Sequence, residues 1–125
     1  TRLPLHCTSQ GKVFLASMED RDVQQILKSK IPVMYTPHTL VDWDKLQENL
    51  NAVRQQNYAI EDGEYKIGLR SVSAPIRDVS GQVKYAVGIV GMFRRVQSPE
   101  FQRTIELTRK TAVQISAAIG YRAPQ

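Results

Sequence analysis

The sequence offers few side chains that could carry out covalent chemistry. One cysteine and two histidines are present, and His6 stands directly before Cys7. A thiol beside an imidazole suits acyl transfer, but neighbouring residues on an extended segment point to opposite faces. His38 lies between Pro37 and Thr39 in a predicted loop, where a solvated or capping imidazole is favoured over a catalytic one. We therefore assign no catalytic residue and do not expect an enzyme.

Metal and cofactor sites are not predicted either. The sequence has no Cys-x-x-Cys or His-x-x-x-His spacing of the kind that a zinc site would need. The glycines at Gly88 and Gly91 lack the pattern of a phosphate-binding loop, and they indicate instead a close approach of backbone to backbone or to a ligand. We expect no metal ion and no cofactor.

Three carboxylates surround Gly63, namely Glu61, Asp62 and Glu64. Such a cluster could supply two acids for general acid–base work. Beside a glycine in a predicted turn, however, solvated carboxylates are the favoured interpretation. From residue chemistry alone, we expect a polar surface turn here.

Size and composition place the chain among ordinary globular domains. It has 125 residues, of which 42% are hydrophobic and 23% charged, and this is enough for one core. A single cysteine cannot form an internal disulfide, and no stretch approaches the roughly 18 apolar residues of a membrane span. These features predict a soluble, cytoplasmic domain with no membrane partner.

The net charge of +5 raises the question of nucleic-acid binding. Most of the excess falls in residues 91–125, which carry six basic and two acidic groups. These groups are spread over a loop and a helix, without the aromatic interleaving or zinc-finger spacing of a nucleic-acid-binding module. A solvated helix face explains them better, so we expect no specific DNA contact from this part of the chain.

Helix signals are strongest near the C-terminus. Ser98 supplies a capping hydroxyl ahead of a proline and an acid, and these residues predict a long helix that stops at Gly120. Its apolar stripe has three- and four-residue spacing: Phe101, Ile105, Thr108, Ala112, Ile115 and Ile119. Asp42 predicts the start of another helix, which ends before Asn57. Two shorter helices are predicted upstream, one over residues 11–17 and one carrying Val23, Ile26 and Leu27.

Between the two longer helices, residues 58–61, 71–77 and 83–90 are rich in Val, Ile, Tyr and Ser and predict strands. The last two are joined by a short connection, residues 78–81, with glycine at its end. Such a connection predicts an antiparallel hairpin. Helices packed on an antiparallel sheet make an α+β fold.

Four segments, taken in order, carry a family resemblance that none of them carries alone. They are the Leu-Pro-Leu-His segment at 3–12, the acidic segment at 61–65, the glycine-to-proline strand at 68–76 and the terminal helix. In this order, and over nearly the whole chain, they resemble the effector-binding domain of IclR-family transcription regulators. The resemblance implies a GAF-like or profilin-like antiparallel sheet flanked by helices, a small-molecule pocket on the sheet, and a homodimer or homotetramer.

The same resemblance implies a separate N-terminal winged helix-turn-helix domain that binds DNA. We expect neither that domain nor the usual opening strands of the sensor domain in this sequence, so residues 1–125 are predicted to form one effector-binding domain. DNA would then be contacted only through the absent domain. A small organic acid would alter operator affinity by changing the arrangement of the subunits.

The resemblance also assigns pocket residues. Ser9, Gln10 and Gly11 match the segment whose backbone amides hold the effector's carboxylate in similar proteins. A helix start favours an anion for a physical reason, because its first N–H groups have no partner within the helix. Glu61 matches the pocket acid, which is usually Asp in the family, and Ser71 matches a position often occupied by Cys.

On the last strand the sequence departs from the family pattern. Gly88 and Val90 replace a Ser-x-Ser pair that contacts effectors in some members. The departure predicts a larger, more apolar pocket floor, a bulkier or aromatic carboxylate as effector, and a Gly88→Leu variant that fills the pocket without disturbing the fold. Two alternatives stay open: a dimerisation or partner-binding domain with a degenerate pocket, and a small hydrolytic enzyme using Glu61 or Cys7.

Overall fold

The computed structural model describes residues 3–124 of the chain. In chain order, its helices and strands are α1 (Ser9–Ala16), α2 (Asp20–Ser29), α3 (Trp43–Gln56), β1 (Ala59–Asp62), β2 (Arg70–Arg77), β3 (Val83–Gly91) and α4 (Pro99–Ala118). Helices packed on an antiparallel sheet are the α+β fold class expected from the sequence, and that expectation is confirmed.

The three strands form one antiparallel sheet in the order β1-β2-β3, so β2 is central. In the β1–β2 register Glu61 lies opposite Ser71, and in the β2–β3 register Ser73 lies opposite Gly88 and Ser71 opposite Val90. Because side chains alternate along a strand, neighbouring residues of β2 serve opposite faces of the sheet.

Helix α4 covers one face of the sheet with the apolar stripe predicted from its periodicity. Val72 of β2 packs in one cluster with Phe101 and Ile105, and Ile76 packs in another with Ala112. Phe101 has no exposed surface, and burying a side chain of this size contributes about 1.5–3 kcal/mol. This face of the domain is therefore an ordinary hydrophobic interface.

The opposite face lies under α1, with α3 packed against α1. Leu15 of α1, Leu46 and Leu50 of α3, and Ala59 of β1 share a core cluster in which none of the four is exposed. Trp43 packs against the same cluster. On the same side of the sheet, the Ser73 hydroxyl of β2 lies 2.7 Å from the hydroxyl of Ser9 at the start of α1.

The helix boundaries lie close to the predicted ones, although a side chain caps the first amides only in α1 among the four described helices. Helix α1 begins two residues before its predicted start because Thr8 is its N-cap. Helix α3 ends where predicted, and Asn57 adopts the left-handed conformation, with φ of 63°, that commonly ends helices. Helix α4 starts after Ser98 as predicted, although the serine hydroxyl donates to the carbonyl of Arg95 instead of capping an amide.

Candidate ligand-binding site

A cavity of about 280 Å³ lies between the start of α1, the turn after β1 and the exposed stretch of β3. Its lining includes six of the seven residues predicted for the site: Ser9, Gln10, Glu61, Ser71, Gly88 and Val90. Sequence reasoning missed other lining residues: Leu3, Thr8, Tyr65, Lys66, Leu69, Ser73 and Ile89. The exposed surface of the lining is mostly apolar.

Two residues at the start of α1, Ser9 and Gln10, line this cavity. The Thr8 hydroxyl accepts a hydrogen bond from the Gly11 amide at 3.1 Å and donates to the carbonyl of Pro4 at 2.7 Å. The amides of Ser9 and Gln10 have no acceptor among residues 3–124. Unpaired N–H groups at a helix start favour an anionic ligand.

Gly11 does not have the role predicted for it. Its amide is already held by Thr8, and the residue does not line the cavity. A Cβ atom at this position would collide with the backbone of Leu5. The glycine is needed because α1 passes directly over the preceding segment, so its contribution to the site is close packing and not ligand binding.

Glu61 lies on the opposite wall and is 4% exposed. Its Oε1 atom accepts a hydrogen bond from the Ser71 hydroxyl at 3.0 Å, and its Oε2 atom accepts one from the Glu64 amide at 2.9 Å. Burial raises the pKa of Glu61, while the hydrogen bonds from Glu64 and Ser71 oppose part of this rise. The prediction of a solvated acidic turn is therefore wrong at both glutamates, since Glu64 is 6% exposed; only Asp62 is exposed.

A buried ion pair stands behind Glu61. The ammonium of Lys12, which has no exposed surface, lies 2.8 Å from Glu64 Oε2 and donates to the carbonyl of Ile60 at 3.0 Å. The Glu64 carbonyl in turn accepts from the hydroxyl of Thr39. Lys12 and Glu64 are separated by 52 positions, so spacing along the chain gave no signal for this pair.

The predicted open floor at Gly88 is not present. Ser73 lies directly opposite, and its hydroxyl occupies the space that a Cβ atom at Gly88 would need. Such a Cβ would also lie 2.7 Å from the carbonyl oxygen of Val72, which is backbone and cannot turn away. The expectation that Gly88→Leu fills a cavity without disturbing the fold is therefore wrong, because the space beside the glycine is already filled.

Comparison with known proteins identifies the family. Residues 1–117 match the family model described as bacterial transcriptional regulator IclR C-terminal. The chain belongs to the IclR family. It is 35% identical over 124 residues to the HTH-type transcriptional repressor AllR of Salmonella paratyphi A, covering 99% of this chain and 46% of AllR. It thus spans about half the length of the curated relatives it matches.

Solved structures agree with this IclR assignment. The C-terminal domain of Escherichia coli KdgR superposes with a TM-score of 0.86 at 31% identity, covering 97% of this chain and 74% of that one. The inducer-binding domain of Acinetobacter PobR, a double mutant in complex with 3-hydroxybenzoic acid, gives a TM-score of 0.83 at 29% identity, covering 93% and 67%. These relatives are transcription regulators, so the prediction that the chain is not an enzyme agrees with its family.

The only cysteine of this IclR domain is poorly suited to nucleophilic chemistry. Burial raises the pKa of Cys7 to about 12, with further contributions from the nearby carboxylates of Glu64 and Glu61. The thiol therefore stays protonated at neutral pH. His6 donates through Nε2 to the carbonyl of Val33 at 2.8 Å, which occupies that ring nitrogen. The hydrolase alternative loses its proposed thiolate.

Two further features of the described IclR domain bear on possible partners. Within residues 3–124, no three His, Cys, Asp or Glu side chains come together in a group that could hold a metal ion. In the same range, no helix combines the length and apolar character needed to cross a membrane.

The raised pKa of Glu61 predicts a pH-dependent stability. Folding holds the proton of this acid more tightly than the unfolded chain does, so stability falls as the pH rises from the ordinary glutamate value of about 4.3 through the raised value. The Glu61→Gln variant can keep the hydrogen bonds to Ser71 and the Glu64 amide. The free energy of unfolding of this variant, relative to that of the parent, should therefore increase as the pH rises across this window.

The measurement is urea denaturation of the parent and of Glu61→Gln between pH 4 and 8. The difference between their free energies of unfolding is followed as the pH changes. Asp62→Asn is the comparison variant: it removes a negative charge from the neighbouring residue of β1, which is exposed and pairs with Arg70 at 2.7 Å. A Glu61→Gln difference that stays constant with pH, or falls as the pH rises, would contradict the prediction.

Proposed function

We propose that residues 1–125 form the ligand-sensing domain of an IclR-type transcription regulator and that its effector is a small hydroxy-carboxylate. The carrying observation is that Ser9 and Gln10, whose amides have no acceptor among residues 3–124, line the same cavity as Glu61 and Ser71. The amides suit a carboxylate. The glutamate suits a hydroxyl, because a carboxylate accepts hydrogen bonds and cannot donate them.

The volume and lining of the cavity support a ligand that has a compact apolar body between its carboxylate and its hydroxyl. Leu3, Leu69 and Ile89 contribute apolar surface, and the volume of about 280 Å³ is close to the lower end of small-molecule pockets. The complex of PobR with 3-hydroxybenzoic acid offers a related protein whose ligand carries a carboxylate and a hydroxyl on an aromatic ring. We therefore favour an aromatic or similarly bulky hydroxy acid.

The regulatory step is proposed from the family. Effector binding would shift the arrangement of subunits in a homodimer or homotetramer, and a separate N-terminal domain would contact the operator. A ligand shifts such an equilibrium only as far as its affinity differs between the two arrangements. The cavity wall formed by α1, β1 and β3 brings three separate elements to one ligand, so occupancy can bias their relative positions.

Calorimetric titration tests the hydroxy-acid assignment. The panel contains aromatic and aliphatic hydroxy acids, 3-hydroxybenzoate among them, each paired with an analogue that lacks the hydroxyl and one that lacks the carboxylate. We expect at least one acid to bind. Both of its analogues should bind at least about tenfold more weakly, because each analogue loses a hydrogen bond to a charged group. Binding by no acid of the panel would contradict the proposal.

Variants refine the same titration. Ser71→Ala should lower affinity for the binding acid about fivefold, the effect of one neutral hydrogen bond of about 1 kcal/mol. Ser80→Ala is the matched control, since Ser80 is exposed and donates to Asp78 in the turn between β2 and β3. Equal affinity in the parent and the Ser71→Ala variant would remove Ser71 from the site.

A second candidate function is association with a partner through β3. Tyr85, Ile89 and Val90 are 63%, 42% and 64% exposed along this strand, which has no neighbour on its outer side among residues 3–124. Apolar edge strands favour pairing with another chain. This alternative would be favoured if no acid of the panel binds and if the protein associates with a partner in a way that Val90→Lys abolishes.

A further inference from the structure

Ser73 is part of the cavity wall but received no role from the sequence. Its side chain is 1% exposed, and its hydroxyl lies 2.7 Å from the Ser9 hydroxyl, 64 positions away in the chain. Ser9 is the first residue of α1, and its amide has no acceptor among residues 3–124. This hydrogen bond therefore joins the start of α1 directly to the central strand of the sheet.

Gly88 makes this contact possible. It lies opposite Ser73 in the register, and its missing side chain leaves the space that the Ser73 hydroxyl occupies. The glycine thus has a steric role at this point of the cavity, whereas the polar group comes from the neighbouring strand. The floor of the cavity is consequently polar beneath Ser9.

The pair of hydroxyls also leaves one proton free. Each serine hydroxyl has a single proton, and the Ser9–Ser73 hydrogen bond uses one of the two. The remaining O–H can rotate toward an acceptor in the cavity, beside the amides of Ser9 and Gln10. Ser9, Gln10 and Ser73 therefore bring three such donors to the lining of one cavity.

We infer that Ser73 is a positioning residue, which holds the α1 amides toward the cavity through Ser9, and that the Ser9–Ser73 pair supplies a third donor to the ligand's carboxylate. The donor role rests on the proposed function. The positioning role does not, because it concerns the free protein.

The first measurement uses the free protein. Backbone N–H order parameters of Ser9 and Gln10, from ¹⁵N relaxation, should be near the rigid value of about 0.85 in the parent and fall clearly in Ser73→Ala. Ser116→Ala is the matched control: this buried serine accepts a hydrogen bond from the Arg77 amide, outside the cavity. A Ser73→Ala variant whose order parameters match those of the parent would overturn the positioning role.

The second measurement is titration with 3-hydroxybenzoate and the other acids of the panel. Ser73→Ala should weaken binding about fivefold or more, and Ser116→Ala should not. Ser9→Ala with Ser73→Ala should cost less than the product of the two single effects, since both remove the same hydrogen bond. Unchanged affinity in Ser73→Ala would overturn the donor role, whereas binding by no acid to the parent would overturn the proposed function.

Discussion

Replacing Gly88 by leucine is expected to destabilise the domain by about 3 kcal/mol or more, at the upper end of the range for overpacking. A Cβ atom at this position meets the Ser73 hydroxyl and lies 2.7 Å from the carbonyl oxygen of Val72. The hydroxyl can rotate only by giving up its hydrogen bond to Ser9, and the carbonyl can move only with the backbone of β2. The strand pair must therefore shift.

Urea denaturation measures this effect as a lower midpoint at unchanged slope. Val90→Leu is the matched control, because it adds one methylene on the same strand at a residue that lines the cavity and is 64% exposed. A second substitution, Ser73→Ala, should restore only part of the loss in Gly88→Leu, since it removes the hydroxyl but leaves the Val72 carbonyl in place. An unchanged midpoint in Gly88→Leu would show that the space beside the glycine is open after all.

Replacing Lys12 by methionine is expected to cost about 3–5 kcal/mol, the usual penalty for leaving one charge of a buried pair without its partner. The ammonium of Lys12 has no exposed surface and satisfies both Glu64 Oε2 and the carbonyl of Ile60. Methionine has a similar length and keeps most of the packing, so the loss reports mainly on the charge. Glu64 would remain buried next to the Glu61 site.

Two comparisons separate this effect from a general loss of packing. The double variant Lys12→Met with Glu64→Gln should recover a large part of the stability, because it removes both charges. Arg21→Met is the surface control: Arg21 Nε lies 3.5 Å from Glu19 Oε2, both side chains are exposed, and the midpoint should barely move. Equal losses in the single and the double variant would indicate that packing, and not the buried pair, stabilises this region.

The buried pair also bears on ligand binding. The Glu64 amide donates to Glu61 Oε2, and the Glu64 side chain is held by Lys12. The orientation of the pocket acid therefore depends on a contact between α1 and the turn after β1. The same helix carries the unpaired amides at its start, so both polar ends of the cavity are tied to the position of α1.

Local signals in the sequence were sufficient for most of the secondary structure. The Ser-Pro-Glu start and the three- and four-residue stripe gave α4, and the short glycine-ended connection gave the β2–β3 hairpin. These signals act between residues close in the chain, which is why they can be read without a structure. Helix α1 starts two residues before the predicted position because Thr8 caps it.

The sequence by itself determined the α+β class and, through the order of its motifs, the IclR family. The family resemblance also named six residues that line one cavity in the structure: Ser9, Gln10, Glu61, Ser71, Gly88 and Val90. The surroundings of those positions were decided by the tertiary structure alone. Burial of Glu61 and Glu64, their link to Lys12, and the filling of the space beside Gly88 by Ser73 depend on contacts across tens of residues, which set the local dielectric and free volume at each site.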